Sequence, residues 1–170
     1  ARTDNAVVVT DANGRIEWVN EAFTRITGFT MDEAMGRKPG SFLQGPDTDP
    51  ETVKKIHEAL SAEEGISVEI LNYAKDGRAY WLSIEIQPMR DEDGRLTNFM
   101  AIERDVTLRR AEDRRQSIQN ASALIFASAG SVQQAGVGIL RKVSRQLGGK
   151  VGLLWMRGPG DKSMRVVESW

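Results

Sequence analysis

Two polar side chains fall in phase with apolar ones where a strand should turn its inner face. In "ISVEILNY", Asn72 shares the period-two side of Ile66, Val68 and Ile70. In "RLTNFMAIERDVT", Glu103 shares the side of Phe99 and Ala101. An amide or a carboxyl group buried without a partner is costly, so something polar must meet them: water, one another, or the edge of a ligand. Apolar surroundings disfavour the carboxylate, so Glu103 is expected to keep its proton toward neutrality, where it can accept or return one. The bland counterpart is a glutamate paired with a nearby Arg or Lys, or turned outward by a bulge. His57, the single histidine, cannot build a metal cluster alone, and zero cysteines exclude disulfides, thiolate metal sites and thiol-based covalent chemistry. The sequence offers no nucleophile–base pair, no Gly-rich phosphate loop opening a helix and no metal constellation, so it is not read as an enzyme.

The elements that must position these groups are marked along the chain. "NAVVVTD" and "RIEWVNEAF" are β-rich runs joined by the turn "DANG". "NEAFTRITG" carries Ala22, Phe23 and Ile26 at helical spacing and stops at Gly28. "TMDEAMG" offers Thr30 as N-cap, Glu33 three residues on and Gly36 as exit. Asp49-Pro50 opens "DPETVKKIHEAL", with Val53, Ile56, Ala59 and Leu60 on its apolar face and His57 at the edge of that stripe. Three strands follow: "ISVEILNY", "RAYWLSIEIQPM" and "RLTNFMAIERDVT". In the second, Leu82, Ile84 and Ile86 take one face, and Trp81, Ser83 and Glu85 the other. This order predicts an α+β domain on a five-stranded antiparallel sheet with helices covering one face. Trp18 and Trp81 then lie on the opposite face, where they can cover the sheet against a partner subunit or a flanking helix.

The 170 residues are 40% hydrophobic and 28% charged, an ordinary globular balance. A net charge of −1 gives no reason to expect nucleic acid or an anionic membrane as partner. No apolar run approaches a membrane span and no signal peptide opens the chain, so a cytoplasmic setting is expected. After Thr107 the character changes. "LRRAEDRRQSIQ" is charged and helix-favouring, and Leu108, Ala111, Arg115 and Ile118 give it only a weak seam. A helix through "SVQQAGVGILRKVSRQLGG" and two strands, "KVGLLWMRG" and "MRVVESW" around "PGD", are expected next. The absence of an initiator methionine and the stop inside an apolar run read as a fragment of a larger protein.

Residues 5 to 107 resemble a PAS domain of the light-oxygen-voltage (LOV) branch. The resemblance is carried by "VVVTD", "NEAFTRITGFTMDEAMGR", "FLQGPDTDPETVKKIHEAL", "EILNYAKDGRAYW", "IQPMRDEDGR" and "ERDVT". Residues 117–170 are similar to the opening of a GAF domain. The resemblance implies a sensor domain at 1–107, a helical linker at 108–116 and a GAF-like segment at 117–170. It also implies a flavin held between the helices and the inner sheet face. By position, Gln44 meets the flavin tail, Asn72 the carbonyl and imide edge, and Phe99 and Ala101 the ring. Leu43, Val53, Ile56, Ile70, Leu82, Ile84 and Ile86 complete the slot, with Thr10 at its rim. In the "ERDVT" junction Glu103, Asp105 and Thr107 would couple the sheet to an output helix, which the Asp105 carboxylate or the Thr107 hydroxyl can cap.

The departures from that pattern carry as much information. The LOV loop "GRNCRFLQG" is here "GRKPGSFLQG", one residue longer. Gly40 takes the place of the adduct-forming cysteine, and Ser41 that of a phosphate-binding arginine. His57 stands for the second phosphate arginine, Leu82 for a second ring-binding asparagine, and Glu103 for the glutamine that reads flavin N5. Without either arginine the doubly charged phosphate of FMN loses its strongest complements. FAD, with a less concentrated diphosphate and an adenine to bury, suits the loop better, and the placement of His57 speaks against haem. The expectation is a sensory module that binds FAD non-covalently and relays redox or light state to a downstream effector domain, as a homodimer. The alternative is an apo or metabolite-binding PAS module for dimerisation and relay without flavin.

Overall fold

The computed structural model describes residues 4–147, 152–157 and 164–169. They form two compact units, Ala1–Leu108 and Arg109–Trp170.

In the first unit, alternation sets the faces. Strand β1 (Ala6–Asp11) buries Ala6, Val8 and Thr10, and β2 (Ile16–Val19) buries Ile16 and Val19. The turn between them closes on the Asp11 carboxylate, which accepts from the N–H groups of Asn13 and Arg15 at 2.9 and 2.8 Å. Helix α1 (Glu21–Thr27) begins with the Asn20 side chain accepting from the Phe23 N–H and ends at Gly28, whose φ of 76° suits a residue without a Cβ. Helix α2 (Met31–Ala34) carries the expected capping box of Thr30 and Glu33. A further single turn, α3 (Gly40–Leu43), forms inside the stretch read from sequence as loop. Helix α4 (Pro50–Ser61) is capped by Asp49, which accepts from the Thr52 N–H.

Strands β3 (Ile66–Tyr73), β4 (Ala79–Arg90) and β5 (Leu96–Asp105) complete a sheet of order β2-β1-β5-β4-β3, antiparallel throughout. Because β2 and β3 are its two edges, the chain between them must cross the sheet, and α1 to α4 make that crossing. This is the expected α+β architecture.

The core is split in two. One cluster joins Ala6, Val8, Ile16, Val19, Ala22, Phe23, Ala34 and Leu43. The other joins Ile70, Ala74, Tyr80, Leu82, Ile84, Ile86 and Phe99. Ile26 and Ala101 pack against both. Helix α4 is amphipathic yet has no fully buried residue, because much of its apolar face looks onto a cavity instead of closed core.

The loop from α3 to α4 is stitched to β3. The Thr48 hydroxyl donates to the Leu71 carbonyl at 2.7 Å, and the Tyr73 hydroxyl donates to the Asp47 carboxylate at 2.9 Å. Gly45 lies under the Tyr73 ring, where a Cβ would come within 2.3 Å of a ring carbon. Gly45→Ala is therefore expected to cost about 1–3 kcal/mol through overpacking, read as a lowered thermal midpoint.

Helix α5 (Thr107–Ser128) is one continuous helix of 22 residues, the first two of which are assigned to the first unit. It includes the helical stretch expected at 108–116 and continues past residue 117. Helix α6 (Val132–Leu147) and the antiparallel pair β6 (Leu153–Met156) and β7 (Arg165–Ser169) match the predicted helix and strands. Arg141 of α6 pairs with Glu168 of β7 at 2.7 Å. The "PGD" turn lies outside the described residues. No helix among the described residues is long and apolar enough to cross a membrane.

Candidate functional site

A cavity of about 530 Å³ opens between the two core clusters. The sheet supplies its floor through Val8, Thr10, Ile70, Asn72, Ile84, Ile86, Phe99, Ala101 and Glu103. The opposite wall comes from Leu43 and Gln44 at the end of α3 and from Val53, Ile56, His57, Leu60 and Ser61 of α4. Its rim includes Ala12 to Gly14 of the first hairpin turn and Lys38 to Ser41 before and within α3. Volume and lining, apolar with a few polar groups, are those of a site for a small organic ligand.

The expected binding residues come together here with one exception. Thr10, Leu43, Gln44, Val53, Ile56, His57, Ile70, Asn72, Ile84, Ile86, Phe99, Ala101 and Glu103 all line the cavity. Leu82 does not. It faces inward as its alternation requires, but it is fully buried within the second cluster beside Ile70, its cross-strand partner. Gln44 and His57 are exposed, at the solvent side of the lining. The Thr10 hydroxyl is already engaged, donating to the Asp11 carbonyl at 3.0 Å.

Gly40 and Ser41, which stand where the LOV pattern has its cysteine and a phosphate arginine, line the cavity too. Lys38, Pro39, Ala12, Asn13 and Gly14 sit on no periodic face, and the sequence did not single them out. Val8, Leu60 and Ser61 were missed as well. The in-phase partnership of Val8 with Thr10, and of Leu60 with Val53 and Ile56, carried a usable signal for two of these.

Charge is distributed unevenly along the cavity. Among the described residues Glu103 is the one acidic lining residue and is buried at 4% exposure; Lys38 and His57 are exposed. Desolvation pushes the Glu103 carboxyl up to about 7. Its Oε2 and the Asn72 Oδ1 are buried side-chain atoms without a hydrogen-bond partner, as is the Tyr80 hydroxyl. Native interiors leave few such groups orphaned, and those in a cavity wall are where a ligand's polar edge fits. The Tyr80 phenol is raised well above its usual range, first by desolvation and then by the Glu103 charge. Asn72 opposes that rise from nearby, although no hydrogen bond of normal geometry joins the two.

The end of β5 is clasped to β4. Trp81 donates its N–H to the Thr107 hydroxyl at 2.8 Å and accepts from the Val106 N–H at 2.9 Å. Asp105 accepts from the Thr107 N–H at 2.9 Å. The carboxylate therefore serves the first turn of α5, while the Thr107 hydroxyl is held by the sheet. Trp18 is about half exposed on the face away from the cavity, and Trp81 is partly buried there.

A sequence profile described as "PAS domain" matches residues 4–108. A blue-light-activated histidine kinase of Brucella anthropi is 46% identical over 93 residues, which is 55% of this chain and 19% of that protein. The chain thus spans about a fifth of that relative's length. Among solved structures, the LOV domain of the Erythrobacter litoralis blue-light activated histidine kinase has a TM-score of 0.58 at 28% identity, covering 62% of this chain and 99% of that one. A light-oxygen-voltage domain studied with a flavin analogue has a TM-score of 0.60 at 31% identity, covering 68% of this chain and 87% of that one.

Proposed function

Since residues 4–108 belong to the PAS domain family and are closely related to LOV blue-light sensor domains, we propose that the cavity holds a flavin non-covalently, FAD in preference to FMN, and that the domain relays its state to an output. The observation that carries this reading is the pair of orphaned groups, Asn72 Oδ1 and Glu103 Oε2, set in an otherwise apolar slab. A planar heteroaromatic ring with a polar edge satisfies both demands. Such a cofactor, when bound, supplies reversible electron acceptance and absorption of blue light.

The chain's own residues do the rest. Ile70, Ile84, Ile86 and Phe99 from the sheet and Val53 and Ile56 from α4 exclude water from the two faces of the slot. Asn72 orients the polar edge. Glu103, neutral when protonated, can donate a hydrogen bond from its carboxyl O–H, and ionised it can only accept. Any change of partner at Glu103 has a short path along β5 to Asp105 and the Trp81–Thr107 clasp that fixes the start of α5. At the solvent side Lys38 and His57 provide positive or ionisable groups for an anionic tail, in place of the two missing arginines. We further infer a regulatory and not a catalytic role, a homodimer through the outer sheet face, and a GAF-like segment after the sensor leading to an effector.

Uptake of riboflavin, FMN and FAD by the purified chain, followed by the visible flavin bands, tests this. FAD is expected to bind more tightly than FMN. Lys38→Met is expected to weaken FAD several-fold while leaving riboflavin, which has no phosphate, unchanged. Failure to take up any of the three contradicts the flavin reading.

A further inference from the structure

The Glu103 carboxyl group stands in the cavity wall at 4% exposure, and its Oε2 has no hydrogen-bond partner. Its register partners are Ala6 on β1 and Ile84 on β4, neither with a polar side chain. Among the described residues, the lining from β1, β3, β4 and α3 includes no charged group. Tyr80 on β4 is titratable, but its raised phenol stays neutral. Asp105, two residues along β5, is an acid. His57 is the one titratable group that α4 gives the lining, and both it and Lys38 at the rim are exposed. Burial raises the Glu103 carboxyl, and no ion pair or hydrogen bond among the described residues offsets that rise.

Water that enters the cavity is therefore what can solvate an ionised Glu103. A ligand with a neutral ring expels that water and puts uncharged surface in its place. The carboxylate becomes harder to keep, and the neutral acid easier. We propose that filling the cavity with a neutral ring binds a proton to Glu103, so that occupancy is set by pH as well as by ligand concentration. The inference rests on the reading of this cavity as a flavin site. The proton comes from bulk solvent, and no covalent bond to the ligand forms or breaks. The linkage is reciprocal: the ligand holds the proton on Glu103, and raising the pH expels the ligand. The same linkage specifies the ligand's edge. The acid has an O–H to give while Asn72 Oδ1 accepts, so the fitting edge sets an acceptor beside an N–H donor. An edge of two donors, or an organic cation, would suit the ionised form and reverse the pH dependence.

Riboflavin is the probe, because it carries the ring without a phosphate. Calorimetric titration of the purified chain at pH 8, in two buffers of different ionisation heat, counts the protons bound. Uptake approaching one proton per riboflavin is expected in the native chain, and none in Glu103→Gln, which keeps the shape without the charge. The native affinity is expected to fall by up to about tenfold per pH unit above about 7, while that of Glu103→Gln stays level. Should Glu103→Gln not fold, the protonated-carboxyl infrared band of the native chain at pH 8 reads the same proton. It is expected to appear when riboflavin is added, and its failure to appear overturns the proposal. Binding without proton uptake, binding with proton release, or uptake that persists in Glu103→Gln also overturns it and leaves the flavin reading standing. Absence of riboflavin binding at pH 6 and pH 8 alike overturns both.

Discussion

Glu103→Gln is expected to remove most of the pH dependence of stability between pH 4.5 and about 7. Burial raises the carboxyl from its ordinary 4.5 to about 7 in the folded chain. Below 4.5 the folded and unfolded chains both hold the proton, and the stability contribution is complete. Between the two values only the folded chain holds it, so stability falls as pH rises. Above about 7 both are ionised and the loss levels off. The loss across that window is at most about 3 kcal/mol, large against the whole stability of a small domain. A buried glutamine carries no charge at any pH, so the variant should match the native chain near pH 4.5 and exceed it near pH 8. Urea unfolding of both chains at several pH values, taken as their difference, cancels every other titrating group. A difference that does not vary with pH would mean that Glu103 ionises freely in the folded chain.

Gly40→Cys is expected to give the flavin-loaded chain a reversible, light-driven loss of its visible absorption that the native chain lacks. By its resemblance to LOV domains, Gly40 occupies the place of the cysteine that bonds the ring under light, and the structure puts Gly40 in the cavity wall at the start of α3. The three atoms nearest to a Cβ there all belong to the Gln44 side-chain amide, the closest at 2.7 Å. That is the end of an exposed, flexible side chain, and it can move aside at small cost. Illumination with blue light followed by dark recovery of the spectrum is the measurement. A variant that binds flavin yet keeps its absorption under light would place the ring out of reach of α3, and Pro39→Cys would then be the next position to try.

The sheet was legible because its inner residues alternate without exception where it mattered. Asn72 and Glu103 declared themselves as polar members of apolar rows, and the structure leaves an oxygen of each unpartnered in the cavity wall. Alternation, however, gives a direction and not what stands in front of a side chain. Leu82 points inward and meets closed core; Tyr80, one alternation earlier, hides a hydroxyl that period-two logic did not single out. The turn α3 and its neighbour Lys38 went unread because "GRKPGSFLQG" offers breakers and no period, and a four-residue helix has too few positions to show one. The linker at 108–116 rests on the charged, helix-favouring "LRRAEDRRQSIQ", and the start of a GAF-like segment at 117 on resemblance. "RRQSIQNASALIFAS" contains no glycine or proline to interrupt a helix, and α5 runs straight through it.

The slot between the inner sheet face and α4 is proposed to carry a flavin without bonding to it. The absorption spectrum of the purified chain, with mass analysis of the pigment released on denaturation, tests it most directly. The blue-absorbing flavin bands are expected, with intact FAD freed and no covalent remnant left on the chain. A chain that is colourless as purified, and stays so when offered FAD, FMN and riboflavin, would contradict it.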